Sequence, residues 1–321
     1  FGSDPEAVLE MAGDGSSRQY HRIRGPGEIS AIGAVGPDRE ENRAFLSFSG
    51  SLRQAGLPVP EIYAADESAG VWLEEDLGDT TLFDALEEAR VRCDDGFPAA
   101  LIPVYERVLD WLPRFQIEGH RAIDYSVAYP RSAFDRQSIL WDLNYFKYHF
   151  LKLAHIPFNE ARLETDFRRL ASFLLKADTE HFLYRDFQSR NVMLRGSEPW
   201  FIDYQGGRRG ALQYDVASLL YDAKADLPDA LRTQLLEHYL ESLSKHVPVD
   251  RESFIESYRG YVVVRILQAL GAYGYRGYFE RKPRFLRSVP NAASNLERIL
   301  AQGLPIRVPE LTSVFERIVE R

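Results

Sequence analysis

The stretch that most restricts what this chain can fold into is Phe182-Leu183-Tyr184-Arg185-Asp186-Phe187-Gln188-Ser189-Arg190-Asn191. Asp203 follows it in Trp200-Phe201-Ile202-Asp203-Tyr204. Between the two, apolar Val192-Met193-Leu194 gives way to Gly196-Ser197-Glu198-Pro199 and then to a second apolar run. Short apolar runs on either side of a turn rich in Gly, Ser and Pro predict a two-stranded hairpin. Asp186 then lies in the loop before the hairpin, Asn191 at its entrance and Asp203 at its exit.

Phosphoryl transfer from a nucleotide needs three such groups. One Asp orients the acceptor hydroxyl and takes its proton. An Asn and a second Asp hold magnesium on the phosphates, because a hard cation selects oxygen ligands. A lone Asp and Asn in a turn would mean little, since turns favour both. The information lies in the amide and the second acid at the two ends of one hairpin.

The pattern R-D-x-x-x-x-N, then an Asp after a strand pair, resembles the catalytic and metal loops of protein kinases. Tyr184 stands where those have His, and Asp203-Tyr204-Gln205 where they have D-F-G. With these departures the chain resembles the aminoglycoside and choline kinase-like phosphotransferases. Y-R-D-F-Q-S-R-N, I-D-Y-Q and Gln213-Tyr214-Asp215-Val216-Ala217-Ser218-Leu219 resemble most the branch that phosphorylates N-acetylmuramate and N-acetylglucosamine at the anomeric hydroxyl. The resemblance implies an α+β, bilobal, protein-kinase-like fold. Residues 1–78 would form a small sheet-bearing nucleotide-binding lobe, and 79–321 a larger helical lobe for catalysis and acceptor binding. It also implies ATP and Mg²⁺ as cofactors and a small-molecule acceptor, an amino sugar before choline or an aminoglycoside. Asp186 would be the catalytic base and Asn191 and Asp203 the metal ligands. Asp215 would brace the catalytic loop without touching substrate.

Upstream, residues 4–11 read as a short helix with Pro5 in its first turn. Next comes Gly13-Asp14-Gly15-Ser16-Ser17-Arg18, a small-residue turn before the strand-like Gln19–Arg24. Small residues let backbone N–H groups approach a phosphate closely, and a similar stretch covers the nucleotide in the resembled branch. Gly15, Ser16, Ser17 and Arg18 are therefore nucleotide-binding candidates. A strand over 29–35, a helix over 38–55 and strands over 61–65 and 70–75 follow. Glu75-Asp76-Leu77-Gly78-Asp79 resembles the family's hinge, which makes Glu75 and Leu77 candidates for the adenine edge. One expected group is missing. A kinase strand supplies a Lys to the phosphates, paired with a Glu on the next helix, yet residues 29–35 contain no basic residue and Glu40 and Glu41 have no Lys to pair with. Arg18, Arg22 or Arg24 is expected to replace it. The gap also motivates a rival reading, a nucleotide-binding regulatory scaffold without transferase activity; intact Asp186, Asn191 and Asp203 argue against that.

After Thr80 the pattern is helical: Thr81 caps a helix to about 91, and 97–118 continues with interruptions at Pro103 and Pro113. Residues 137–153 are dense in aromatic rings. Most of these read as core. Trp141, Asn144 and Tyr145, with Asp222 further on, are candidates to line a sugar site, because flat rings suit the apolar faces of pyranoses. Helices over 159–176, 229–246, 252–272, 291–301 and 309–320 close the chain, and a further C-terminal domain is expected to be possible beyond it.

Composition narrows the partners. Net charge is −9, with no block of basic residues able to track a phosphate backbone, so nucleic acid is not the expected partner. No apolar run reaches the ~18 residues of a membrane span. The lone Cys93 allows neither an intrachain disulfide nor a cysteine-rich metal site, and fits a cytoplasmic protein.

Overall fold

In the computed structural model, which describes residues 4–11, 18–93 and 96–321, strands come first. β1 (Ala7–Glu10), β2 (Gln19–Arg24), β3 (Ser30–Val35), β4 (Ile62–Asp66) and β5 (Val71–Glu75) form one antiparallel sheet in the order β1-β2-β3-β5-β4. The helix expected over residues 4–11 is strand β1 instead, with Ala7 opposite Arg24 and Glu10 opposite His21. An isolated helix of that length is unstable, whereas an edge strand gains a ladder of backbone bonds from its neighbour.

Helix α1 (Arg39–Gln54) begins where Asp38 accepts from the N–H groups of Glu40 and Glu41, and those two acids complement the helix dipole. Its inward face carries Phe45, Phe48 and Leu52, all buried. Trp72 of β5 packs on Phe45, with ring centroids 5.2 Å apart. The chain leaves α1 through Gly56, whose φ of +76° suits a residue without Cβ.

Beyond β5, Thr81 and Asp84 exchange bonds in a capping box that starts α2 (Leu82–Val91). Helix α3 (Ile102–Arg114) differs in detail from expectation. Pro103 sits in its first turn, where no helical bond is lost and no kink arises, while Pro113 precedes a wider turn over Phe115–Gly119. The predicted hairpin is present: β6 (His181–Leu183) precedes β7 (Val192–Arg195) and β8 (Glu198–Phe201), which pair from Val192–Phe201 to Arg195–Glu198.

By internal packing the chain divides into two units, Phe1–Ser132 with Tyr184–Arg208, and Ala133–Leu183 with Arg209–Arg321. This partition differs from a cut after residue 78: it groups the five-stranded sheet with the β7–β8 hairpin. The second unit is helical, built around Arg251–Gly274. Glycines on that helix admit its neighbour Arg136–Phe146 at close range; a Cβ at Gly271 would lie 2.7 Å from the Tyr145 ring. Asp166, itself buried, accepts from the N–H groups of Glu310 and Leu311 and so caps the last helix, Pro309–Val319.

Candidate active site

The hairpin's loops hold their chemistry by bonding to each other. The Tyr184 hydroxyl donates to Ile202 O (2.6 Å), and Ile202 N–H donates to Asn191 O (3.1 Å). Asn191 Nδ2 donates both to Asp186 O (2.8 Å) and to Asp203 Oδ2 (3.0 Å). Gln205 Nε2 donates to Asp203 Oδ1 at 2.8 Å. The three residues expected to act together are therefore one cluster. Arg185 and Asp203 adopt φ of +87° and +69°, left-handed conformations costly for residues with a Cβ.

Electrostatics mark Asp203. Burial first, then the neighbouring Asp186 carboxylate, push its pKa up from 3.8 to about 6, against the Gln205 bond and the charges of Arg190 and Arg18. Two carboxylates close together in low dielectric create a site that a cation relieves. Asn191 spends its N–H groups on Asp186 and Asp203, which leaves its carbonyl oxygen for a ligand. This donor set of hard oxygens fits magnesium. Among the described residues no group of three or more His, Cys, Asp or Glu side chains is placed to hold a metal ion.

Above this cluster the sheet and α1 supply a buried cation. Arg18 lies over the rings of both Phe45 (5.2 Å) and Trp72 (5.3 Å) and pairs with Glu41 at 3.3 Å. Glu41, which has no Lys to pair with, pairs with this Arg instead. Beside them is Glu74, whose pKa burial raises to about 7, against the bond from Trp72 Nε1 and the charge of Arg18. Tyr204, next to Asp203, stacks on Phe45 (5.5 Å) and bonds to Ser49 at 2.6 Å. Glu41, Phe45 and Ser49 recur every four residues, so one stripe of α1 carries the whole contact.

The other expected residues divide. Gly15, Ser16 and Ser17 lie outside the described residues. Leu77 is buried. Glu75 uses its carboxylate on Arg195 (2.7 Å) and its N–H on Glu61 O (2.8 Å). Arg22 is held by Asp76 and Asp79, and Arg24 is exposed at the end of β2. In the second unit Asp215 is fully buried, and Asp222 accepts from Lys224 N–H across a turn. Trp141 is 46% exposed, and Asn144 donates to Leu140 O in its own helix. Tyr145 packs against His149 (4.6 Å) and Tyr275 (6.0 Å). Tyr275 is an addition that sequence spacing did not reveal, because it reaches this aromatic group only through tertiary packing. Glu74 and Ser49 were missed for the same reason.

Comparison with known proteins identifies the family. The pattern of the phosphotransferase enzyme family (APH) matches residues 8–252, and the chain belongs to that family. It is a small-molecule kinase with a protein-kinase-like fold. The chain is similar to the N-acetylmuramate/N-acetylglucosamine kinase of Pseudomonas aeruginosa, at 28% identity over 97% of this chain and 88% of that protein. It is similar also to the enzyme of that name from Pseudomonas putida, at 26% identity over 100% and 90%. Among solved structures, choline kinase from Cryptosporidium parvum superposes with a TM-score of 0.62 at 11% identity, covering 97% of this chain and 93% of that one. Choline kinase LicA from Streptococcus pneumoniae does so at 0.56 and 15% identity, covering 91% and 94%.

Proposed function

We propose that this chain transfers the γ-phosphoryl group of ATP, with Mg²⁺, to a hydroxyl of an N-acetylated amino sugar of the N-acetylmuramate or N-acetylglucosamine kind. The observation that carries the reading is the bonded cluster of Asp186, Asn191 and Asp203. Bound magnesium would neutralise phosphate charge as the γ-phosphorus is attacked. Asn191 and Asp203 would hold it. Asp186 orients the acceptor hydroxyl and takes its proton as the acceptor oxygen bonds to phosphorus and the bridging oxygen departs with ADP. Near full-length relatives bearing the amino-sugar name support the acceptor class.

The remaining assignments belong to the same reading. Residues 1–78, with Gly15, Ser16 and Ser17 over the phosphates and the backbone about Glu75 and Leu77 at the adenine edge, form the nucleotide-binding part. Residues 79–321 provide catalysis and the acceptor site, with Trp141, Asn144, Tyr145 and Asp222 on the acceptor side and Asp215 in a supporting role. No helix among the described residues is long and apolar enough to cross a membrane, and a cytoplasmic place is proposed with salvage of cell-wall sugars as its setting. The test is transfer of labelled γ-phosphate to N-acetylmuramate, N-acetylglucosamine, choline and an aminoglycoside. Labelling of the two amino sugars is expected. Labelling of choline or the aminoglycoside alone would overturn the acceptor assignment, and labelling of none would overturn the transferase.

A further inference from the structure

Strand β3 offers no cation, yet the triphosphate of ATP carries more negative charge than the magnesium ion it travels with. Two of the three groups that converge on the site are themselves carboxylates. Transfer would leave further charge on the departing diphosphate, so a positive group on the nucleotide side is required. Three basic residues lie along or just before β2. Arg24 is exposed at the far end of the strand, and Arg22 is committed to Asp76, Asp79 and the carbonyl of Gly78. Arg18 differs from both.

Its side chain is 2% exposed and is held on three sides, by Phe45, by Trp72 and by Glu41. A guanidinium stays charged even when buried, and in low dielectric its field carries further than in water. Its place relative to the metal site follows from the ring stack. Phe45 has the Arg18 guanidinium near one ring contact and the Tyr204 ring at another, and Tyr204 is the neighbour of Asp203 in the chain. The charge of Arg18 accordingly acts on Asp203, on Glu74 and on Tyr20. Arg18 is thus one aromatic ring removed from Tyr204, the residue next to Asp203. Arg190 acts on Asp203 as well, but it belongs to the catalytic loop beside Asn191 and offsets the carboxylate pair there.

The geometry points to Arg18 as the phosphate-directed cation of this site, brought from the entrance of β2 in place of a strand β3 lysine, with Glu41 of α1 as its positioning residue. Glu41 pairs through one oxygen at 3.3 Å and, with the flanking rings, fixes the fork's direction. The arrangement moves the cation from the middle of the sheet to the residue just before β2. It rests on the reading of the chain as an ATP-dependent kinase.

The test compares binding of Mg-ATP with binding of adenosine, which has no phosphates, by calorimetry on the full chain. Wild type must bind Mg-ATP; if it does not, the kinase reading fails, and not the role of Arg18 alone. Arg18→Met keeps an unbranched apolar stem against the two rings and removes the charge. It is expected to weaken Mg-ATP ten- to a hundredfold, about the range for losing one charge-assisted phosphate contact, with adenosine unchanged. Arg18→Lys is expected to recover part of the loss, and Glu41→Gln to lose about three- to tenfold for Mg-ATP only. Unchanged Mg-ATP affinity in Arg18→Met, or equal losses for Mg-ATP and adenosine, would overturn the assignment. Should Arg18→Met fail to fold, Glu41→Gln decides: a loss confined to Mg-ATP supports the pair, and no loss refutes it.

Discussion

The bond between Ser49 and Tyr204 permits a prediction whose direction is set by counting protons. Ser49 has one hydroxyl hydrogen and spends it on Phe45 O at 2.7 Å, so across the 2.6 Å contact Tyr204 is the donor and Ser49 the acceptor. Burial pushes the Tyr204 phenol well above its usual range, which keeps that proton in place. Tyr204→Phe removes a donor and leaves Ser49 with its own bond made, a loss of about 1 kcal/mol. Ser49→Ala strands a fully buried phenol without its acceptor, which costs about 1–3 kcal/mol. In the double variant no stranded group remains, so its cost should not exceed that of Ser49→Ala. The assay is urea unfolding of the four proteins, read as a double-mutant cycle. The argument is refuted if Tyr204→Phe is the costlier single change, or if the two costs add to within about 0.5 kcal/mol. Because the Phe ring keeps its stack on Phe45, Tyr204→Phe should leave Mg-ATP affinity within about threefold of wild type, against the tenfold that ~1.4 kcal/mol would bring.

Two further outcomes follow from the same geometry. Asp186→Asn should leave Mg-ATP affinity nearly unchanged while turnover to N-acetylated hexosamines falls by roughly two to four orders of magnitude, the range for loss of a positioned base; lost affinity would place Asp186 on the metal instead. Because the Asp203 pKa is raised to about 6, its charge is lost as pH falls through that value, so Mg-ATP affinity should drop between pH 7 and 5 while adenosine affinity holds. The sign for stability is opposite. A carboxyl raised above its unfolded value costs stability when ionised, so the ligand-free protein should gain stability from this group as pH falls through about 6, and an equal gain in Asp203→Asn on the same titration would contradict it.

What the sequence disclosed and what it withheld divide by distance along the chain. Asp186, Asn191 and Asp203 are legible because a single hairpin brings them together, and hairpins announce themselves through turn residues and short apolar runs. The capping box at Thr81 and Asp84 is legible because helix starts are local chemistry. The pairing of Arg18 with Glu41 spans 23 positions, and that of Ser49 with Tyr204 spans 155, so neither leaves a periodic trace. The absence of a basic residue from β3 was visible in the letters; the identity of its replacement needed the sheet and α1 to be packed. Residues 4–11 were misread because propensity over so short a span is weak beside the gain from an edge ladder.

The left-handed conformations at Arg185 and Asp203 bear on why the site is built from two loops and not one. Each costs on the order of 1–3 kcal/mol, and such strain persists only where the surroundings over-determine it. Here the surroundings are the two loops themselves. Tyr184 beside one strained residue bonds to Ile202 beside the other, and Asn191 bonds to both acids' residues at once. Neither loop keeps its shape without the other. The group proposed to meet the acceptor and the group proposed to meet the metal therefore belong to one bonded element. Relaxing either strained residue would displace both functions together, even where the substituted side chain touches only one of them.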